Sequence, residues 1–359
     1  MTEIRTRAAV LRASDGPFTI EDVDLRAPGA GQVLVRIAGV GICHTDFLPR
    51  TPIAKPPIVC GHEGAGVIEA VGAGVNGLAV GDHVVLSFDS CGECRNCLDA
   101  QPAYCDSFWP RNLSGFRLDR PTTILDTEGN PVKGNWFGQS SFAEHSVISA
   151  RNVIKVDPAL PLELLGPLSC GVLTGAGAVF HSLAVEPGSS IAVFGTGTVG
   201  LAAVMAAHVA GAATVVAVDR NAERLKLAEE FGATVTFTTI DGLPTGLDYA
   251  LDTTGAIPVL SAALDTLRTR GVLGCVGVQL KPFEIRPDQL ARGRTIKGIL
   301  EGDAVPKLLI PRIIDLWQLG RFPFDKLVTK YAFDDINSAE IDMKAGTVIK
   351  PVLVPGRTG

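Results

Sequence analysis

The sequence lacks the features that mark membrane-bound, secreted and nucleic-acid-binding proteins. None of its apolar runs is long enough to cross a bilayer, and residues 1–11 alternate charged and small side chains where a signal peptide would be apolar. Lys and Arg form no cluster, and the net charge is -6 at pH 7. These absences predict a cytoplasmic protein that binds neither a membrane nor nucleic acid.

Aromatic residues are also scarce, at 6% of the 359 residues, whereas glycine occurs 40 times. Together with 46% hydrophobic residues, this composition is typical of an α/β enzyme whose core is built from Val, Ala, Leu and Ile. The length exceeds that of one compact core and therefore predicts two domains.

Four of the eight cysteines follow the pattern C-x-x-C-x-x-C-x7-C, at Cys91, Cys94, Cys97 and Cys105. Four thiolates with this spacing can close a tetrahedron around one zinc ion, which would leave no open position and make the metal structural. A disulfide-bonded loop is one alternative, and an iron-sulfur site is another, because the spacing is similar to some ferredoxin sequences.

A second group of potential ligands consists of Cys43, His62 and Cys170, with Glu63 directly after the histidine. Two thiolates and one imidazole suit zinc, and three protein ligands leave a fourth position for water or substrate, as a catalytic zinc requires. Taken alone, Cys43 is better explained as a small buried side chain. The joint spacing with the other residues favours a metal centre.

A glycine-rich turn, G-T-G-T-V-G, follows the short apolar strand 190–194 and opens an apolar helix. This context is the one that a dinucleotide-binding fingerprint requires, because the glycines let a pyrophosphate approach the backbone at the start of a helix. The turn residues expected to bind the cofactor are Gly195, Gly197, Thr198, Val199 and Gly200.

Asp219 ends the next predicted strand, where a carboxylate can bind both hydroxyls of the adenosine ribose. It would repel a 2'-phosphate, so NAD is favoured over NADP, although the adjacent Arg220 leaves use of both cofactors open. The strands and helices that alternate after residue 190 predict a doubly wound parallel sheet.

In these motifs and in their order, the chain resembles the zinc-dependent medium-chain alcohol dehydrogenases over essentially its whole length. The resemblance implies an α/β fold, with a GroES-like β-barrel catalytic domain plus a Rossmann doubly wound parallel sheet. It implies a catalytic domain over residues 1–172 with the structural zinc lobe at 91–105, an NAD-binding domain over 173–300, and a return to the catalytic domain over 301–359.

The cofactors implied by the resemblance are NAD and two zinc ions per chain. The catalytic zinc would be held by Cys43, His62 and Cys170, with Glu63 as an occasional alternative ligand, and it would act as a Lewis acid on the alcohol. The four-cysteine lobe would hold the structural zinc, which decides between the alternatives above.

Roles for the neighbouring residues follow from the same resemblance. Thr45 would receive the alcohol proton, His44 would reach the cofactor pyrophosphate, and Asp46 would orient His62. The histidine that completes the proton relay in well-studied members is replaced by Leu48, so the relay would run from Thr45 through the ribose hydroxyl to water.

Three further cofactor contacts are implied by position: Arg224, Val276 and Lys350. Arg224 would face the ribose, and Lys350 would touch the pyrophosphate. An ordinary solvated helix residue is the alternative for Arg224, and a lysine that protects a strand edge is the alternative for Lys350.

Within the family, the chain looks most like the bacterial aryl-alcohol branch, which implies benzyl, cinnamyl or allylic terpene alcohols as substrates. Ser87 stands where some relatives place an aromatic ring, which leaves room for a bulky substrate. Alternatives are a glutathione-formaldehyde adduct or an aliphatic alcohol, a non-enzymatic nucleotide-binding protein, and a zinc-ribbon interaction module. Relatives form homodimers or homotetramers, with residues 264–278 expected at the interface.

Overall fold

The structure is a computed structural model that describes residues 3–118, 124–279 and 281–356. It divides into two compact units. The first consists of Met1–Cys170, Val305–Pro311 and Leu327–Gly359, and the second of Gly171–Ala304 and Arg312–Lys326.

The strands, in chain order, are β1 (Glu3–Leu11), β2 (Phe18–Arg26), β3 (Gln32–Gly41), β4 (Ile58–Val59), β5 (Glu63–Val71), β6 (His83–Leu86), β7 (Ile124–Asp126), β8 (Pro131–Val132), β9 (His145–Ser149), β10 (Val153–Lys155), β11 (Ser190–Phe194), β12 (Thr214–Val218), β13 (Val235–Phe237), β14 (Leu247–Asp252), β15 (Leu267–Cys275), β16 (Thr295–Gly298), β17 (Val328–Ala332) and β18 (Lys350–Val354). The α-helices are α1 (Arg95–Leu98), α2 (Phe108–Leu113), α3 (Gly171–Gly177), α4 (Thr198–Ala210), α5 (Ala222–Glu230), α6 (Ile257–Thr266), α7 (Pro287–Leu290), α8 (Pro306–Gln318) and α9 (Ile336–Ala345). None of the helices in the described ranges has the length and apolar character needed to cross a membrane.

The first unit contains two largely antiparallel sheets. One has the strand order β4-β1-β2-β7-β8, and the other has the order β10-β6-β5-β3-β18-β17, with β9 also paired to β3. In the second sheet Gly41 of β3 lies opposite Glu63 of β5 and also opposite Val352 of β18. This register places the start of β5 and the start of β18 on the two sides of the end of β3, which positions the candidate site.

The second unit is built on a six-stranded parallel sheet with the order β13-β12-β11-β14-β15-β16. From β11 the chain continues to β12 and β13 on one side of the sheet, and later to β14, β15 and β16 on the other side. The strand order therefore reverses between β11 and β14, and in such sheets ligands bind at this point, beyond the carboxyl ends of the strands. The glycine-rich turn follows β11 directly. The α/β fold predicted from the sequence is therefore confirmed.

The helix after this turn is apolar on all sides because it is enclosed by its neighbours. Its residues from Gly200 to Ala207 are all buried, as expected of a helix without a solvent-facing stripe. It ends at Gly211, whose φ of 82° supplies the left-handed cap that helices commonly use.

The sequence places all of residues 301–359 in the catalytic domain, and the structure differs over Arg312–Lys326, which belongs to the second unit. This segment folds back on itself, because Trp317 donates a hydrogen bond from Nε1 to Asp325 at 2.8 Å and packs on Phe324 with ring centroids 5.0 Å apart. Lys326 also lies 3.8 Å from Glu230 at the end of α5. The contact between Lys326 and Glu230 joins distant parts of the chain and had no signal in the sequence.

Candidate active site

Three separate segments of the first unit bring together the predicted ligands of the catalytic metal. Donor atoms of Cys43, His62, Glu63 and Cys170 all lie within 4.8 Å of one another. Nε2 of His62 is 3.2 Å from the sulfur of Cys170, and the imidazole is only 2% exposed. Two thiols, an imidazole and a carboxylate at this separation form a donor set that fits zinc.

Asp46 fixes the geometry of this group. It lies in a short 3-10 helix, His44–Arg50, that begins directly after Cys43. Its Oδ1 accepts hydrogen bonds from Nδ1 of His62 at 2.7 Å and from the backbone N–H of Gly61 at 2.9 Å, and its Oδ2 accepts one from the N–H of Cys43 at 3.1 Å. Because Nδ1 is the donor to Asp46, Nε2 is the ring nitrogen that can bind a metal.

The charges around the imidazole change its proton affinity. Burial alone lowers the pKa of His62, but the negative charge and the hydrogen bond of Asp46 more than reverse this, so that the pKa lies well above its usual value. The same carboxylate would strengthen the imidazole as a metal ligand, because it stabilises positive charge on the ring. Asp46 is fully buried, so solvent does not weaken this interaction.

The thiol of Cys43 is the second polarised donor. A hydrogen bond with Cys170 and the proximity of His62 bring the pKa of Cys43 well below its usual value, despite its burial. The hydroxyl of Thr45 lies 3.7 Å from this sulfur. Thr45 is therefore beside the donor group and only half-buried, which suits a residue that exchanges a proton with a ligand. His44, the neighbouring residue, is exposed.

Glu63 has a partner that the sequence did not predict. Both of its carboxylate oxygens lie 2.8 Å from Nζ of Lys350, which also donates to the carbonyl of Ile42 at 2.9 Å. Burial lowers the pKa of Lys350, but the charges of Glu63 and Cys43 outweigh this effect, so the pKa lies above its usual value and the side chain is cationic.

The pyrophosphate contact expected of Lys350 does not agree with this geometry. The three N–H donors of an ammonium group match the three contacts to Glu63 and Ile42, and the residue is only 3% exposed. The alternative of an edge-strand lysine is also wrong, because β18 lies between β3 and β17 inside its sheet. The sequence missed the ion pair because its partners are separated by most of the chain.

Two more residues contact His62, which the sequence did not predict. Gln139, which is 2% exposed, donates from Nε2 to the carbonyl of His62 at 2.8 Å and accepts from the N–H of Gly64 at 3.2 Å. The ring of Phe137 stacks on His62 with centroids 4.5 Å apart. Gln139 therefore holds the backbone of the ligand, and Phe137 covers its ring.

The four-cysteine group lies in a separate lobe of the first unit. Sulfur atoms of Cys91, Cys94, Cys97 and Cys105 are all within 4.8 Å of one another, and none of these cysteines forms a disulfide. Burial raises the pKa of Cys91, but the N–H groups of Glu93 and Cys94 bring it down to about 6. Four thiols around one point would occupy all four positions of a tetrahedral zinc ion, so they fit a closed structural site.

Arginine side chains support this lobe from outside. Arg151 donates hydrogen bonds to the carbonyls of Ser90, at 3.1 Å, and of Cys91. Arg111 lies 3.1 Å from Asp89, and its positive charge also interacts with Cys105 and Cys91. Their positive charges offset the negative charge that four thiolates would bring to the lobe.

The glycine-rich turn of the second unit leaves space for a dinucleotide. A Cβ at Gly200 would lie 1.8 Å from the carbonyl oxygen of Gly195, so the turn closes on the helix only without a side chain. A Cβ at Gly197 would meet nothing within 4 Å, so the backbone there is open to a ligand. Gly197 is also the N-cap of α4, whose first residues are Thr198 and Val199. These features fit the pyrophosphate of a nicotinamide dinucleotide.

Asp219, directly after β12, holds the backbone of the glycine-rich turn by a hydrogen bond. Its Oδ2 accepts from the N–H of Thr196 at 2.6 Å, and its Oδ1 accepts from the N–H of Asn221 at 2.9 Å. Each carboxylate oxygen has a second lone pair, so contact with a ribose is compatible with these bonds. Arg220 is exposed, while Arg224 in α5 and Val276 after β15 are half-buried, and their cofactor contacts stay predictions.

Comparisons with known proteins agree with this geometry. Residues 29–158 match the model of the alcohol dehydrogenase GroES-like domain, and residues 198–316 match that of the zinc-binding dehydrogenases. The chain is 44% identical to geraniol dehydrogenase of Castellaniella defragrans, with 98% of each chain covered.

Two solved structures are similar over the same length. An alcohol dehydrogenase zinc-binding domain protein from Burkholderia ambifaria is 46% identical with a TM-score of 0.95, over 98% of this chain and 99% of that one. Benzyl alcohol dehydrogenase from Acinetobacter calcoaceticus is 40% identical with a TM-score of 0.92, over 98% of this chain and 100% of that one. With its two groups of zinc donors and its dinucleotide-binding turn, the chain belongs to the zinc-dependent medium-chain alcohol dehydrogenase family.

Proposed function

We propose that the protein oxidises primary allylic or aryl alcohols to aldehydes, reversibly, with transfer of a hydride to NAD. The observation that carries this proposal is the group of Cys43, His62 and Cys170 with the aromatic ring of Phe137 stacked against its imidazole. When bound, zinc supplies a Lewis acid that polarises the alcohol oxygen, and NAD supplies the hydride acceptor.

The chain's own residues prepare this reaction. Asp46 holds His62 in the orientation that directs Nε2 towards the other ligands, and Gln139 fixes the backbone of the same histidine. Thr45, beside the thiol of Cys43, is the residue we assign to receive the alcohol proton. Leu48 is apolar and half-buried, so it does not pass that proton on, and the ribose and water are the proposed route.

Substrates with a flat apolar group are favoured by the aromatic side chains beside the metal ligands. Phe137 contacts Phe108 with ring centroids 6.3 Å apart, and Phe108 contacts Phe88 at 5.8 Å. The relatives named for geraniol and benzyl alcohol support the same allylic or aryl class.

Use of NAD in preference to NADP is supported by Asp219, whose carboxylate would repel a 2'-phosphate. Assembly into a homodimer or homotetramer through residues 264–278 stays a prediction. Val278, which is 72% exposed, stands at the end of this segment.

The proposal is tested by following the near-ultraviolet absorbance of NADH as the zinc-loaded protein acts on a panel of alcohols. We expect benzyl alcohol, cinnamyl alcohol and geraniol to be oxidised with higher kcat/KM than ethanol or the glutathione adduct of formaldehyde, and NAD to be preferred to NADP. The protein with Cys43→Ser serves as a control that lacks one ligand. A preference for the glutathione adduct or for ethanol would contradict the substrate class while leaving the family assignment intact.

A further inference from the structure

Glu63 could become a fourth ligand, yet it is held by other contacts. One of its oxygens lies within 4.8 Å of the donor atoms of Cys43, His62 and Cys170, and both oxygens lie 2.8 Å from Nζ of Lys350. Four protein ligands would close a tetrahedral zinc site, whereas three leave a position for substrate. The position of this carboxylate therefore bears directly on whether the site is open.

Two features of the chain keep the carboxylate on the side of Lys350. The ammonium group of Lys350 is buried and donates a hydrogen bond to the carbonyl of Ile42, which holds it in place. Gly41 lies opposite Glu63 in the sheet, and a Cβ at Gly41 would stand 2.0 Å from Oε2 of Glu63. Any side chain at position 41 would thus occupy the space that the carboxylate uses.

The contact between Glu63 and Lys350 is important because a buried carboxylate needs a positive charge beside it. Removal of one partner from a buried ion pair leaves an uncompensated charge, which is strongly unfavourable. Without Lys350, the nearest compensation for Glu63 would be the metal held by the three neighbouring ligands.

We propose that Lys350 and Gly41 are positioning residues that hold the Glu63 carboxylate off the catalytic metal and thereby keep one coordination position open. This inference rests on the proposed function only in taking the three-ligand group as the catalytic metal site. Lys350 acts through Glu63 and does not contact the substrate.

The test uses full-length protein in which both metal groups are loaded with cobalt, whose visible absorption reports the number and type of ligands. The lobe contributes the same signal in every variant and cancels in difference spectra. We expect Lys350→Met to change the spectrum of the wild type and to weaken binding of azide. The double variant Lys350→Met/Glu63→Gln should recover the spectrum of the wild type.

A matched control is Lys330→Met, because Lys330 also lies on a strand and lies 2.8 Å from a glutamate, Glu163, but at the protein surface. If Lys350→Met folds poorly, Gly41→Ala provides the second test, with Gly16→Ala as its control, since a Cβ there meets Ala13 only at an ordinary 3.6 Å. Turnover of alcohol by the zinc-loaded Lys350→Met protein should fall by about 10- to 100-fold, the usual range for a change in the groups that surround the ligands of a metal.

The proposal is overturned if Lys350→Met and Gly41→Ala both keep the spectrum of the wild type, or if the change persists when Glu63 is also replaced. Failure of the proposed function gives a different result. In that case the spectra would change as expected, but the wild-type protein would oxidise none of the alcohols.

Discussion

The two groups of metal donors are built in opposite ways. The four cysteines of the lobe fall within residues 91–105, with Cys97 in the short helix α1 and the others in the segments beside it, and three of them are only half-buried. The ligands of the other group come from positions 43, 62 and 170, and His62 and Glu63 are almost inaccessible to solvent. We therefore expect the lobe to depend on its metal for its shape, whereas the second group is positioned by the fold around it.

The hydrogen bonds around each group show the same difference. In the lobe, backbone N–H groups of nearby residues point at the sulfur of Cys91. In the second group one buried carboxylate, Asp46, connects Cys43, Gly61 and His62. The two groups are therefore expected to respond differently to the loss of one partner.

The largest effect is expected for Cys170→Ser. Loss of this thiolate should empty the catalytic group and reduce alcohol oxidation by about a thousandfold or more, because a metal Lewis acid supplies several kcal/mol to the transition state. Metal analysis should show that the lobe keeps its zinc, and the midpoint of thermal unfolding should change little. Activity within about tenfold of the wild type would show that Cys170 is not a ligand that the reaction needs.

A smaller loss of activity is expected for Asp46→Asn. The amide keeps the size of the side chain but removes the negative charge next to His62, so zinc affinity and kcat should each fall by about 10- to 100-fold. The metal dissociation rate in the presence of a chelator measures the first effect, and steady-state kinetics measures the second. Arg111→Met is a useful counterpart, because it alters a charged neighbour of the lobe and should leave kcat unchanged.

The smallest effect on chemistry is expected for Cys97→Ser, which should act on stability. Without one of four ligands the lobe should lose its zinc, and the free energy of unfolding should fall by several kcal/mol, since structural zinc contributes directly to folding. We expect kcat per folded molecule to stay within about twofold of the wild type. Calorimetry and active-site titration separate these quantities, and a large drop in kcat would mean that the two groups are coupled.

The same contrast explains how much of the molecule could be predicted from its sequence. The four cysteines of the lobe were recognisable from their spacing, and the ligands of the catalytic group from the resemblance to a known family. The dinucleotide-binding turn was recognisable because its glycines stand between an apolar strand and an apolar helix. These predictions depend on residue type and local order, which a sequence displays.

Contacts between distant segments could not be predicted in this way. Lys350 was expected at the cofactor and instead pairs with Glu63, because the register of β3, β5 and β18 brings the two residues together. Gln139 reaches the backbone of His62 from a loop 77 residues away in sequence. The presence of a glutamine or a lysine in a sequence does not indicate which residue it will contact, so these roles become visible only in the fold.

Phe137 adopts a backbone conformation that a bulky residue rarely occupies, with φ 50° and ψ 34°. A left-handed residue other than glycine costs about 1–3 kcal/mol. Glycine or asparagine would fill this position at lower cost, but neither would offer a ring to His62. The backbone conformation at position 137 therefore favours a residue such as glycine, whereas the contact with His62 requires an aromatic ring. Replacements at position 137 are therefore expected to raise stability and to lower activity, or the reverse.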